Sequence, residues 1–249
     1  MVTPEVAVFG DRVAEALTRS LGTELVGVYF VGSVALGGFV PHESDIDVVA
    51  VCRRALTQAQ ARRIASAVVE VSAACPARGL ELTLYRLEVV AADPVGADFE
   101  VNANGGPRMP TTVHLDATAE PGFWYVLDRA IAHRSGRTIS GPPASTTFAD
   151  VARGRLLGAM SESMAWHRAH EKATLYSVLN ACRAWRFAEE GVLGSKLEGA
   201  AWARVRWAEP GLIDAAVALR RGEDALLEES AVEALLAAVA NRLRDASAE

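Results

Sequence analysis

The stretch Val31–Val51, V-G-S-V-A-L-G-G-F-V-P-H-E-S-D-I-D-V-V-A-V, decides the fold. An apolar run from Leu25 to Val31 leads into Gly32-Ser33. Small residues and a turn follow at Gly37, Gly38 and Pro41, and Ser44-Asp45-Ile46-Asp47 then runs into apolar Val48–Val51. The pattern is strand, loop, strand. Side chains two apart on a strand share a face, so Asp45 and Asp47 point one way and Ile46 points into the core. Adjacent carboxylates repel unless positive charge sits between them. A hard divalent cation such as Mg²⁺, which takes oxygen ligands and keeps waters for substrate phosphates, suits the pair. Gly32 lets the backbone approach a phosphate closely. Ser33, opening a short helix, offers a hydroxyl and backbone N–H groups to it. A phosphate grip and a metal grip thus stand at opposite ends of one loop. The plainer alternative is a strand end with two solvated aspartates after a Gly-Ser turn.

Gly32-Ser33, eleven intervening residues and then Asp45-x-Asp47 resembles the signature of the DNA-polymerase-β-like nucleotidyltransferase superfamily. The flanking words G-S-V-A-L-G-G and H-E-S-D-I-D-V resemble its streptomycin/spectinomycin adenylyltransferase branch. The resemblance implies an α/β (α+β) nucleotidyltransferase domain with a mixed β-sheet, followed by an all-α helical bundle. It implies ATP as co-substrate, Mg²⁺ held by Asp45 and Asp47, and nucleotide contacts from Gly32, Ser33 and Ser44.

Outside the motif, the chain reads in order. Thr3-Pro4-Glu5 opens a helix to about Ser20 through an N-cap, a proline at the first helical position and an early acid. Thr57 caps a helix over about Ala55–Ala74, with Arg62 and Arg63 on its wet face. Leu80–Val90 reads as a strand with Leu80, Leu82 and Leu84 on one face and Glu81, Thr83 and Tyr85 on the other. The resemblance carries the catalytic carboxylate of the adenylyltransferases onto Glu81. There it is a general base for an attacking hydroxyl and a third acid for the metal. A polar residue on a solvated strand face is the alternative. Glu88 falls on the opposite face of an unbroken strand and is the weaker candidate.

Asp98–Asn104 reads as another strand, which places Glu100, Asn102 and Asn104 on one face as candidate substrate contacts. The following Gly105-Gly106-Pro107-Arg108 is turn-rich. The adenylyltransferases carry a tryptophan near here for antibiotic contact; this chain has none between Asp98 and Leu115, which leaves the acceptor open. A helix follows over Pro121–Arg134. Gly136–Pro143 then reads as a link, stiffened by its double proline. The expected boundaries are 1–145 for the nucleotidyltransferase domain and 146–249 for a helical domain that closes the nucleotide and substrate cleft.

In the helical half, Cys182-Arg183-Ala184-Trp185, Gly191 and Lys196–Ala203 resemble the adenylyltransferase segment that supplies an arginine and a lysine to the ATP phosphates. Those roles fall on Arg183 and Lys196. Physically, the polyphosphate needs positive groups beside it as charge develops; solvated surface cations are the alternative. His167, His170 and Glu171 form H-R-A-H-E. This is not the H-E-x-x-H zinc motif and has no third ligand in view. The resemblance places an acidic drug contact of the adenylyltransferases at Ala173; Glu171, two residues away, is carried over as the acid facing a cationic acceptor, with Trp166 as a weaker contact.

Composition bounds the rest. The 249 residues are 51% hydrophobic with net charge −6, pI near 5.5 and mean hydropathy +0.16. That supports a sizeable core across two domains. It lacks the basic footprint of a nucleic-acid binder, which disfavours a template-dependent polymerase. No apolar run of ~18 residues is present for a membrane span. The start lacks a basic, apolar leader, and three scattered cysteines fit a reducing compartment. The expectation is a cytoplasmic monomer with no nucleic-acid or membrane partner. It transfers AMP from ATP to a hydroxyl of an aminoglycoside or aminocyclitol antibiotic, conferring resistance. The rivals are the same chemistry on another small molecule or a protein side chain, and a nucleotide-binding regulator without turnover.

Overall fold

The structure is a computed structural model that describes residues 2–40, 43–92 and 94–248. The turn read at Pro41 lies outside the described residues. The chain divides into two compact units, Met1–Val151 and Ala152–Glu249, a boundary six residues beyond the one the double proline suggests.

In the first unit, α1 (Pro4–Leu21) starts where Thr3 accepts the N–H of Val6. It leads to β1 (Leu25–Phe30), the one-turn α2 (Gly32–Ala35) and β2 (Ile46–Cys52). Next come α3 (Gln58–Ser72), β3 (Leu80–Arg86), α4 (Leu87–Ala92), β4 (Phe99–Gly106) and β5 (Met109–His114). The unit ends with α5 (Gly122–Ser135), β6 (Arg137–Ser140) and α6 (Ala144–Thr147). Thr57 and Gln60 cap α3 reciprocally, each satisfying a backbone N–H of the other. The described strands form one mixed sheet in the order β5-β4-β3-β2-β1-β6, in which, among the described residues, only β2 and β3 are parallel.

Alternation sorts the two faces. Val28, Phe30, Ile46, Val48, Ala50, Leu80, Leu82, Leu84, Val101 and Ala103 pack with Val6, Phe9, Val13 and Leu17 of α1 and Ile64 and Val68 of α3 in one core. Asp47, Glu81, Thr83, Asn102 and Asn104 therefore belong to the other face. On that face, Tyr29 meets Phe148 edge-on at 5.4 Å and bonds Thr147 at 2.9 Å, and Arg129 of α5 lies 5.5 Å over the ring of Tyr85.

Three expectations are corrected. The strand read over Leu80–Val90 ends at Arg86, and Glu88 sits in α4, paired with Arg86. The turn-rich stretch after Asn104 carries β4 on to Gly106 and into the edge strand β5. The link at Gly136–Pro143 contains β6, which pairs with β1.

Among its described residues the second unit has helices and no strand: α7 (Arg153–His170), α8 (Leu175–Glu190), α9 (Lys196–Arg204), α10 (Pro210–Arg220) and α11 (Glu229–Ala248). Leu156, Leu157, Met160 and Met164 of α7 are buried, as are Val178, Leu179 and Cys182 of α8 and Val232, Leu235, Leu236 and Val239 of α11. No described helix is long and apolar enough to cross a membrane.

Candidate active site

Asp47 and Glu81 are register partners on the parallel pair β2 and β3. Register partners on neighbouring strands about 4.8 Å apart carry side chains on the same face. Glu81 pairs in turn with Asn104, and Asn104 with Thr112. One polar row thus crosses four strands at the end of the sheet where β1 hands over to α2. Behind it, Asn102 donates to Thr83 at 3.0 Å, and Asn104 donates to Asn102 at 2.9 Å and to Thr112 at 3.2 Å. Glu81 is exposed and Asp47 half-buried.

The loop after β1 is fitted to Asp47. Val31 donates its N–H to the carbonyl of Asp47 at 3.0 Å, and Ser33 N–H points at Asp47 Oδ2 at 3.4 Å. Gly32 has φ +51°, and a Cβ built there would stand 1.8 Å from Asp47 Oδ2. Glycine is thus required twice over, by conformation and by the carboxylate lying on it. Ser33 Oγ is buried and has no hydrogen-bond partner among the described residues, so a ligand oxygen would complete it.

Asp45 precedes β2 and is held by Arg78, whose Nη2 donates to Oδ2 at 2.7 Å. Ser44 is buried, and its hydroxyl accepts the N–H of Val40 at 3.0 Å while its carbonyl accepts that of Arg78 at 3.0 Å. Ser44 therefore shapes the loop. Tyr125 of α5 has its hydroxyl pushed upward in pKa first by burial, then by the negative charges of Glu120, Asp128 and Glu81.

Arg78 and Tyr125 carry no motif signal. They meet the site only through strand pairing and helix packing. Glu100 does not join the polar row. A register shift between the Leu84 and Tyr85 pairings takes it out of alternation, and its carboxylate accepts the Leu56 N–H at 2.7 Å and pairs with Arg86 at 2.8 Å.

The carboxylates fit Mg²⁺ by donor chemistry. Asp47 and Glu81 offer hard oxygens on one face, and Asp45 adds a third beside them. Among the described residues, no three acidic, histidine or cysteine side chains already stand at ligand distances. One oxygen of Asp45 instead faces a guanidinium.

In the helical unit, Glu171 is the C-cap of α7, Arg183 lies on α8, and Lys196 is the first residue of α9 behind a Ser195–Glu198 capping box. A Cβ at Gly199 would stand 2.8 Å from the Arg183 backbone, so the missing side chain lets α9 lie directly on α8. Lys196 Nζ sits 4.9 Å from the centre of the Tyr176 ring. His170 stacks on Trp166 and donates to its carbonyl at 3.0 Å. The two histidines of H-R-A-H-E have separate partners, His167 bonding Glu171 and Asn180.

Residues 146–245 match the family model of the aminoglycoside adenylyltransferase C-terminal domain. The fold is similar to that of spectinomycin adenyltransferase AAD(9) from Enterococcus faecialis, solved with ATP and spectinomycin. The TM-score is 0.69 at 18% identity, over 94% of this chain and 97% of that one. No curated protein matches the sequence. The helical unit is thus similar to the C-terminal domain of the aminoglycoside adenylyltransferases, and the fold is the one that the Gly32–Asp47 motif leads one to expect.

Proposed function

We propose, from this adenylyltransferase-like fold and C-terminal domain, that the chain transfers AMP from ATP to a hydroxyl of a cationic aminocyclitol or aminoglycoside. The observation that carries the reading is the register of Asp47 with Glu81 on adjacent parallel strands, above the Gly32-Ser33 loop. Two acids within reach of one substrate are what a metal-assisted hydroxyl attack on phosphorus requires.

Asp45, Asp47 and Glu81 would hold Mg²⁺, which when bound supplies charge stabilisation to the phosphates and the leaving oxygen. The chain's own groups do the rest. Ser33 offers its buried hydroxyl to a phosphate oxygen. Arg183 and Lys196 supply positive charge to the polyphosphate as pyrophosphate departs. Glu81 accepts the proton of the acceptor hydroxyl while its oxygen forms the new bond to the α-phosphorus and the bond to the bridging β-phosphate oxygen breaks. Glu120 and Asp128 near Tyr125, with Glu171 in the helical unit, suit a cationic acceptor.

The test is pyrophosphate release from Mg-ATP against a panel of spectinomycin, streptomycin and other aminoglycosides. Release that requires one drug supports the reading. ATP binding without release for any drug counts against it. The missing tryptophan between Asp98 and Leu115 favours a second reading, the same chemistry on another acceptor, for which release would appear only on a wider panel of hydroxyl compounds.

A further inference from the structure

A polar chain runs through the helical unit that the motifs do not reveal. His167 is 1% exposed, and both of its ring nitrogens are engaged. Nδ1 lies 3.0 Å from Glu171 Oε2, and Nε2 lies 3.0 Å from Asn180 Nδ2. Asn180, itself buried, presents its Oδ1 to Arg183 Nη2 at 3.3 Å.

The donors and acceptors can be assigned in one way only. Arg183 can only donate, so Asn180 Oδ1 accepts. The amide nitrogen of Asn180 must then donate, so His167 Nε2 accepts. The remaining ring nitrogen carries the proton and gives it to the Glu171 carboxylate. Every bond points from the guanidinium toward the carboxylate, so each polarises the next in the same sense. The ring must be neutral, because a second ring proton would face the Asn180 amide hydrogens. Burial is the main influence keeping it neutral, helped by the charges of Lys196 and Arg183 and opposed by Glu171. The same Glu171 Oε2 accepts from Thr174 Oγ1 at 3.4 Å, and the Ser177 hydroxyl donates to the Glu171 backbone carbonyl.

We infer that His167 is a positioning residue that, through Asn180, holds the Arg183 guanidinium in place for the ATP phosphates while anchoring Glu171 at the other end of the chain. The inference rests on the ATP role proposed above for Arg183. It adds that the arginine is aimed by a buried histidine one helix away.

The test is ATP affinity by calorimetry on the full chain, with kcat and KM for ATP, for His167→Leu, His167→Gln, Arg183→Ala and the double variant His167→Leu/Arg183→Ala. Melting curves establish that each variant is folded. The expected result is an increase of about tenfold in Kd and KM for ATP in His167→Leu. His167→Gln, whose side-chain oxygen can still accept from Asn180, should recover part of that loss. The double variant should bind ATP no more weakly than Arg183→Ala alone, because interacting residues are non-additive. A merely structural histidine would give additive losses and no recovery. Wild-type ATP affinity in Arg183→Ala would overturn the ATP role and this inference together. A loss in Arg183→Ala with unchanged affinity in His167→Leu, or fully additive losses, would overturn this inference alone. If His167→Leu does not fold, Asn180→Leu takes its place in the same cycle with the same expectations.

Discussion

At the scale of single residues, the proposed chemistry rests on Asp47, Glu81 and Gly32 beside Asp47. Glu81→Gln should leave ATP binding intact and reduce transfer by about 10²–10⁴-fold, the range for a positioned general base; single-turnover kinetics read it. Gly32→Ala would put a Cβ 1.8 Å from Asp47 Oδ2 at a backbone φ of +51°. Displacing that carboxylate by about 1 Å should lower turnover by about 100-fold, which steady-state kinetics would show; a wild-type rate would contradict the placement of Asp47. Strand alternation is enough to put Asp47 and Glu81 on one face, because a period of two needs only a continuous strand. It is not enough for Glu100, since a register shift leaves no mark in the spacing of side chains. Nor can it reach Arg78, whose contact with Asp45 spans 33 positions and exists only once β2 and β3 lie in parallel.

At the scale of elements, legibility follows cap chemistry. The Thr3-Pro4 start of α1 and the Thr57 start of α3 hold because each side chain satisfies a backbone N–H that the first turn leaves open. The edge strands β5 and β6 escape a reading from sequence because M-P-T-T-V-H and R-T-I-S are short and largely exposed, so neither shows a buried face to betray it. Leu87–Val90 reads as strand although it lies in the helix Leu87–Ala92, because a short apolar run suits either conformation.

Two predictions belong to this scale. Arg129 of α5 is 1% exposed and donates to the carbonyls of Pro94 at 2.6 Å, Gly96 at 3.0 Å and Ala97 at 3.3 Å, tying the loop before β4 to the helix. Arg129→Leu leaves those carbonyls short of a donor and should destabilise the unit by about 2–5 kcal/mol, measured by denaturant titration. Gly199→Ala should push α9 off the Arg183 backbone, lowering the melting temperature and weakening ATP binding. A change in neither would contradict the close approach of α8 and α9.

For the whole molecule, the two units rest on different physical grounds. The first is a sheet with one face filled by α1 and α3 and the acids at one end of its other face. The second is a helical bundle with a buried neutral histidine. His167 has its pKa lowered from 6.5 in the fold, so the unfolded chain takes up its proton first. Stability from this group is present above about pH 6.5 and is lost as pH falls through and below that value. Melting temperature plotted against pH should drop on the acid side of neutrality, and His167→Gln should flatten that part of the curve. Composition disfavours broad nucleic-acid binding but says nothing of this group, since burial is a property of the packed helices.

The central claim is that Asp47 and Glu81, brought together by one parallel strand pair, perform adenylyl transfer. The most direct measurement is pyrophosphate release from Mg-ATP with and without spectinomycin, for the native chain and for Glu81→Gln. The native chain should release pyrophosphate only with the drug, and Glu81→Gln should lose nearly all of that release with ATP still bound. Equal release by both proteins would contradict the claim.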